Sequence, residues 1–261
     1  MDLGLNDKVA IVTGASRGIG LAVVDGLARE GVKVVAVART LTPELDALVA
    51  TGVTPFLVDV TAEDGPTAMV EAAAGRFGQL DILVNNVGGV RPRTSGFLEV
   101  SDADWNWALS LNLMSAVRAT RAALPELMKR PASSIVTISS VNAVLPDPSV
   151  IDYSAAKAAL SNFSKSISKE FGPRGVRANT ISPGPVETGL WLGHDGVAET
   201  VAQATGKDPA AVAADAVAGI PTGRFTTPRE VADLAVLLAS PRTANVTGSN
   251  YAVDGGLPET L

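Results

Sequence analysis

The sequence predicts an α/β fold of the doubly wound kind: a single domain with a parallel sheet of about seven strands and helices on both faces. Three observations predict it. Short β-branched, apolar runs alternate with longer helical stretches, the pattern of strands buried on both sides. A Gly-rich turn follows the first of these runs directly. The composition, 46% hydrophobic and 18% charged over 261 residues, belongs to a compact chain able to bury a large core.

The elements follow in order. Lys8 to Thr13 reads as the first buried strand, and a helix runs from about Gly18 to Glu30, where Gly31 stops it. Strands follow at 32–38, 53–58, 80–85 and 134–139, and two more at 176–181 and 250–253 close the set. Helical patterns lie near 43–51, 63–77, 102–129, 153–172 and 228–239. Ser101 fits the N-cap of the 102–129 segment, and Pro125 within it should bend the helix or begin a new turn. The long stretch without strand character, 184–227, carries modest helical patterns at 197–205 and 209–218. Such an insertion near a sheet's carboxyl edge reads as a lid over a substrate site. No linker or repeat interrupts residues 1–261, so they are taken as a single domain.

Composition excludes several functions. The net charge of −6 and the lack of any Lys/Arg run speak against nucleic acid or an anionic membrane as partner. With no Cys, disulfides, Cys-ligated metals and a thiol nucleophile are excluded. His194 is the only His, which argues against a multi-His metal site. No basic-then-apolar leader or membrane-length apolar run is visible, and a cytoplasmic location is expected.

Chemistry is carried by two motifs. Tyr153 and Lys157 stand at i and i+4, on one helical face. A free phenol titrates near ~10. An ammonium beside it favours phenolate, so Tyr153 is expected to be acidified by Lys157 and to pass a proton to or from an alkoxide. The second motif, Thr13-Gly14-Ala-Ser16-Arg17-Gly18-Ile19-Gly20, joins first strand to first helix. Its glycines admit a tight turn and close backbone approach, and the helix N-terminus offers N–H groups to a pyrophosphate. The second strand ends Ala38-Arg39-Thr40, where an NAD site would place a carboxylate. A guanidinium there suits a 2′-phosphate, and Arg17 adds a second positive charge, so NADP(H) is preferred and NAD(H) is the alternative. Both arginines would also fit solvated positions.

These residues sit within a larger set. T-G-x-x-x-G-x-G at Thr13–Gly20, N-N-x-G at Asn85–Gly88, Asn112, Ser140, Y-x-x-x-K at 153–157 and Pro183-Gly184 occur in order from Lys8 to Gly256. The chain thereby resembles the classical short-chain dehydrogenase/reductases, of the 3-oxoacyl-carrier-protein-reductase-like kind. The resemblance implies a Rossmann-type sheet and hydride transfer between a nicotinamide and a carbonyl or secondary alcohol. It implies Tyr153 as general acid/base and Lys157 on the nicotinamide ribose. Ser140 is then the donor to the substrate oxygen, and Asn112 holds a relay water. Asp59 would accept from the adenine amino group, with Val60 beside it, although a turn aspartate is the simpler alternative. Asn86 and Gly88 would lie against the cofactor, while Asn85 would tie strands together. Pro183, Gly184, Val186 and Thr188 would flank the nicotinamide.

Val87 departs from the family's N-N-A-G, adding bulk near the ribose. The expected substrate wall includes Val141, Asn142, Leu190 and Trp191, with Val150, Leu192 and Val90 or Arg91, and suits an apolar ketone or alcohol. His194 is either a substrate contact or a bystander. Trp105 and Trp107 cannot share a helix face, so at least one is structural or interfacial. The family also implies a homotetramer. The competing readings are an NAD-linked alcohol dehydrogenase and a non-catalytic dinucleotide-binding regulator.

Overall fold

The computed structural model describes residues 1–258, so the final three residues of the expected domain, 259–261, lie outside the described residues. Seven strands form one sheet: β1 Val9–Thr13, β2 Lys33–Ala38, β3 Thr54–Leu57, β4 Ile82–Asn85, β5 Ser133–Ile138, β6 Val176–Pro183 and β7 Asn250–Val253. All neighbours pair in parallel, in the order β3-β2-β1-β4-β5-β6-β7. The order reverses between β1 and β4, and a crevice outside the carboxyl ends of these strands is where such sheets bind ligands.

The strand period of two divides the buried residues between two cores. On β1, Ala10 and Val12 face one layer and Val9 and Ile11 the other; on β2, Val34 and Ala36 oppose Val35 and Val37. The first layer packs against helix α1, Gly18–Arg29, through Val23, Val24 and Leu27. After α2, Pro43–Ala47, the chain passes β3 and enters α3, Gly65–Phe77, which covers the second layer with Met69, Val70 and Ala73. Pro55 lies in β3, an edge strand, where a missing N–H is tolerated.

The expected 102–129 helix is interrupted. Helix α4, Asp102–Leu109, begins at a capping box in which Ser101 and Asp104 satisfy each other's backbone N–H groups. It widens into a π turn at Ser110–Met114 and continues as α5, Ser115–Leu127. The break therefore falls at Asn112, whereas Pro125 sits within α5 without ending it. Helix α6, Ile151–Phe171, starts two residues before the expected Tyr153. Strand β3 stops at Leu57, so Asp59 lies beyond it rather than ending it.

Segment 184–227 holds α7 Gly189–Leu192, α8 Val197–Thr205 and α9 Pro209–Ala218. Ala198, Ala202 and Val212 give the last two a small core of their own. A bridge between Val186 and Thr226 closes the base of the segment, and the Trp191 ring meets Phe225 edge-on with centroids 5.7 Å apart. Helix α10, Pro228–Ala239, has a second capping box, Thr227 with Glu230, and returns to the α1 side of the sheet. No helix among the described residues is long and apolar enough to cross a membrane.

Candidate active site

A cleft of about 1330 Å³ runs along the carboxyl ends of the strands. One end is made by the turn after β1. Gly14 there has φ +66°, a backbone region that favours glycine, and Ser16, Arg17, Gly18 and Ile19 line the cleft. Gly20 does not line it. A Cβ on Gly20 would stand 2.2 Å from the Gly14 carbonyl oxygen and 2.5 Å from Asn86 Nδ2, so its role is to let turn and helix approach closely. Asn86 locks the turn to the end of β4: its Nδ2 donates to the carbonyls of Thr13 and Gly14 at 3.0 and 3.1 Å. Thr13, the first residue of the Gly-rich motif, completes the joint. Its hydroxyl donates to Val84 O and accepts from Asn86 N.

Arg39, Asp59 and Val60 line the same end. Neither Arg39 nor Arg17 forms an ion pair among the described residues, so both guanidinium groups remain available to a ligand. Asp59 takes a turn role as well: its carboxylate accepts from the Thr61 hydroxyl and N–H at 2.7 and 2.9 Å, which holds its pKa below the usual range. Asn85 differs from expectation. Its Nδ2 donates to Thr120 of α5 at 3.0 Å, joining strand to helix rather than strand to strand.

At the other end stand Ser140, Tyr153 and Lys157. Ser140 follows β5 and starts a short turn, its hydroxyl accepting from Asn142 N and donating to Asn142 Oδ1, both at 3.2 Å. Tyr153 and Lys157 project from the first turns of α6 onto the cleft. Lys157 is buried, donates to Ile138 O at 2.9 Å, and lies 5.7 Å from the centroid of the Tyr153 ring. Burial pushes its pKa down to about 8.

The expected net acidification of Tyr153 is not observed. Burial raises the phenol's pKa and a hydrogen bond with Ser140 opposes the rise. The reason is that one environment disfavours both charges at once: it weakens the ammonium and the phenolate together. Tyr153 is half-buried, part of its ring being open to the cleft.

Asn112 lies behind this wall, wholly buried at the π turn. Its Nδ2 donates to Gly89 O and Ala108 O, and its Oδ1 accepts from Gly89 N at 3.0 Å. Both amide protons are used and one lone pair of Oδ1 is left. A Cβ on Gly88 would stand 3.0 Å from that oxygen and 3.2 Å from Lys157 Nζ, so only glycine keeps the three groups this close.

Of the residues named for a substrate wall, Val141, Asn142, Val150, Leu190, Trp191, Val90 and Arg91 line the outer part of the cleft. It is less apolar than the sequence suggested. The Arg91 guanidinium lies 3.9 Å over the Trp107 ring, and Asp147 and Asp215 reach the lining. Leu192 and His194 do not line the cleft; His194 is exposed and paired with Asp195. Pro183, Gly184, Val186 and Thr188 also line the cleft, and Thr188 packs against the Gly turn, its Cγ2 3.2 Å from where a Gly18 Cβ would be.

Comparison with known proteins agrees with this geometry. The family described as Enoyl-(Acyl carrier protein) reductase matches residues 14–258. The 3-oxoacyl-[acyl-carrier-protein] reductase FabG of Vibrio cholerae is 34% identical over 260 residues, 98% of this chain and 99% of that protein. Oxidoreductase UcpA of Escherichia coli K12 is also 34% identical, over 98% of this chain and 97% of its own. Among solved structures, L-sorbose reductase from Gluconobacter frateurii, complexed with NADPH and L-sorbose, superposes with a TM-score of 0.90 at 35% identity over 100% of both chains. The aldohexose dehydrogenase of Thermoplasma acidophilum gives a TM-score of 0.85 at 29% identity, covering 97% of this chain and 95% of that one.

Proposed function

The chain belongs to the short-chain dehydrogenase/reductase family of oxidoreductases, and from that premise we propose that it is an NADP(H)-dependent reductase of carbonyl compounds, reversible as an alcohol dehydrogenase. The observation that carries the reading is the convergence of Ser140, Tyr153 and Lys157 on one end of a cleft whose other end is lined by the guanidinium groups of Arg17 and Arg39, neither ion-paired among the described residues. The cleft fits a dinucleotide: about 1330 Å³ is bordered by the Gly-rich turn at the N-terminus of α1, and Arg17 and Arg39 suit a 2′-phosphate. The NADPH in the L-sorbose reductase structure supports the same choice. Once bound, the cofactor supplies the hydride chemistry.

The chain's own residues supply proton and position. Tyr153 gives its phenolic proton to the oxygen that becomes alkoxide, and Ser140 donates to the same oxygen as charge develops. Lys157, still mostly protonated at neutral pH with a pKa of about 8, stabilises the phenolate left behind and holds ribose hydroxyls. Asn112 uses the remaining lone pair of Oδ1 for a water that returns a proton from solvent. Gly14, Ser16, Gly18, Ile19, Asn86 and Gly88 hold the pyrophosphate and ribose side, Asp59 and Val60 the adenine, and Pro183 to Thr188 the nicotinamide. Segment 184–227 serves as the lid, and a homotetramer is the assembly to test by light scattering.

Val141, Val150, Leu190 and Trp191 suit the apolar body of a small ketone or secondary alcohol. A second substrate reading, a hydroxylated ketone, is favoured by Arg91, Asn142 and Asp147 at the same wall and by the L-sorbose bound to the structural relative. The test is NADPH oxidation followed across apolar ketones, ketoses and acyl thioesters. Tyr153→Phe should slow turnover by about 10²- to 10⁴-fold, the usual worth of a positioned acid/base group. Equal rates in both proteins would end the mechanism.

A further inference from the structure

Arg93 is a guanidinium only 11% exposed, and it grips carboxylates from two helices. Its Nε and Nη2 meet the two oxygens of Asp152 on α6, the fork arrangement that suits a carboxylate. Its Nη1 donates to Asp104 Oδ1 on α4 at 2.8 Å. Its backbone N–H donates to the carbonyl of Ser149, beside Val150 of the pocket wall.

Each attachment leads to a group at the reacting centre. Asp152 is 1% exposed, lies in the first turn of α6 and directly precedes Tyr153. Asp104 belongs to the capping box of α4, which runs into the π turn carrying Asn112. Arg93 itself ends the segment that begins at Gly88 and Gly89, the latter bound on both backbone groups by Asn112. One cation thus joins three segments that bear on the Tyr153 hydroxyl. A buried ion pair is weak evidence of a contribution to stability, because desolvation offsets its attraction. Its geometric effect is larger: a displacement of about 1 Å in a reacting group is enough to cost about 100-fold in rate.

We infer that Arg93 is a positioning residue which, through Asp152 and Asp104, fixes the place of the Tyr153 hydroxyl within the site. The inference rests on the reading of Tyr153 as the acid/base group. Its test does not depend on turnover alone. The chain has two tyrosines, Tyr153 and Tyr251, so fluorotyrosine labelling gives two ¹⁹F resonances, assigned with Tyr251→Phe. Arg93→Met should move or broaden the Tyr153 resonance and leave Tyr251 in place. It should lower kcat by about 10- to 100-fold while NADPH affinity, measured directly, stays unchanged.

Arg93→Lys keeps the charge but loses the fork and should recover part of both effects. Arg93→Met combined with Asp152→Asn removes the stranded buried carboxylate, so it should regain melting temperature but neither kcat nor the resonance position. An unmoved Tyr153 signal in Arg93→Met, or kcat returning together with melting temperature in the double variant, would overturn the inference. If the wild-type protein reduces no carbonyl, the proposed function falls, while the fluorine spectra still decide whether Arg93 places Tyr153.

Discussion

Lys157→Met should make the protein more stable and nearly inactive at once, and the structure gives both magnitudes. The ammonium is buried and its pKa falls from 10.5 to about 8. The folded state therefore binds this proton less tightly than the unfolded chain. Below pH 8 the cost is present in full, about 3 kcal/mol from 1.36 kcal/mol per pKa unit. Between pH 8 and 10.5 folding releases protons, so wild-type stability gains from this group as pH rises, and the cost disappears near 10.5. Methionine fills similar space without the charge. It leaves the Ile138 carbonyl without its donor, a loss of about 1 kcal/mol, so a net gain of about 2 kcal/mol is expected at pH 7.

The rate moves the other way. Lys157 Nζ lies 5.7 Å from the centroid of the Tyr153 ring, and an opposite charge within about 4–6 Å of an ionising group favours its charged form by about 1–3 pKa units. Losing that charge should cost alcohol oxidation about 100-fold and move the rising limb of that pH–rate profile to higher pH. Calorimetry of both proteins from pH 6 to 10.5, with turnover measured alongside, checks the pair. A variant no more stable than wild type at pH 7, or a stability gap that stays constant with pH, would refute the reasoning about burial.

Arg39→Asp should weaken NADPH binding by about 10- to 100-fold, the loss of one charge-assisted pairing, and should favour NADH in relative terms; isothermal titration with both cofactors measures it. Unchanged NADPH affinity would remove the basis for the cofactor choice. Gly20→Ala places a methyl 2.2 Å from the Gly14 carbonyl oxygen and should cost about 1–3 kcal/mol in urea unfolding, with cofactor affinity reduced because the turn must shift. A fully stable Gly20→Ala that still binds NADPH would mean the turn has another way to close.

What the sequence made legible was whatever depends on neighbours along the chain. The unbroken apolar run Val9–Val12 marked a strand with a core on each side, and the i, i+4 spacing put Tyr153 and Lys157 on one face. What escaped depends on partners far away in the chain. The break at Asn112 comes from hydrogen bonds to Gly89, 23 residues earlier, which no local propensity records. Arg93 meets Asp152 across 59 residues, and either side chain alone reads as an ordinary surface charge. The direction of the Tyr153 shift was missed for a related reason: spacing reveals the cation beside it, and only packing reveals the burial that raises the phenol's pKa. At the edge of the sheet, Val53 and Val58 continue an apolar pattern past the end of pairing, so β3 is shorter than its composition suggests.

Two costly features meet at one end of the cleft: a buried ammonium and a fully buried asparagine in a widened turn lie on either side of Gly88. A fold has no use for a buried Lys157 as such, because methionine would pack there at less cost. Its retention needs a compensating role, and the one available is the charge it presents to Tyr153 and to a ligand in the cleft. Filling the site should therefore relieve the cost that the empty protein bears. NADPH should raise the melting temperature of the wild type more than that of Lys157→Met, and the excess should shrink as pH climbs past 8 toward 10.5. An equal shift in both proteins would mean that Lys157 makes no contact that discriminates the bound state, and the charge would then be left without a reason.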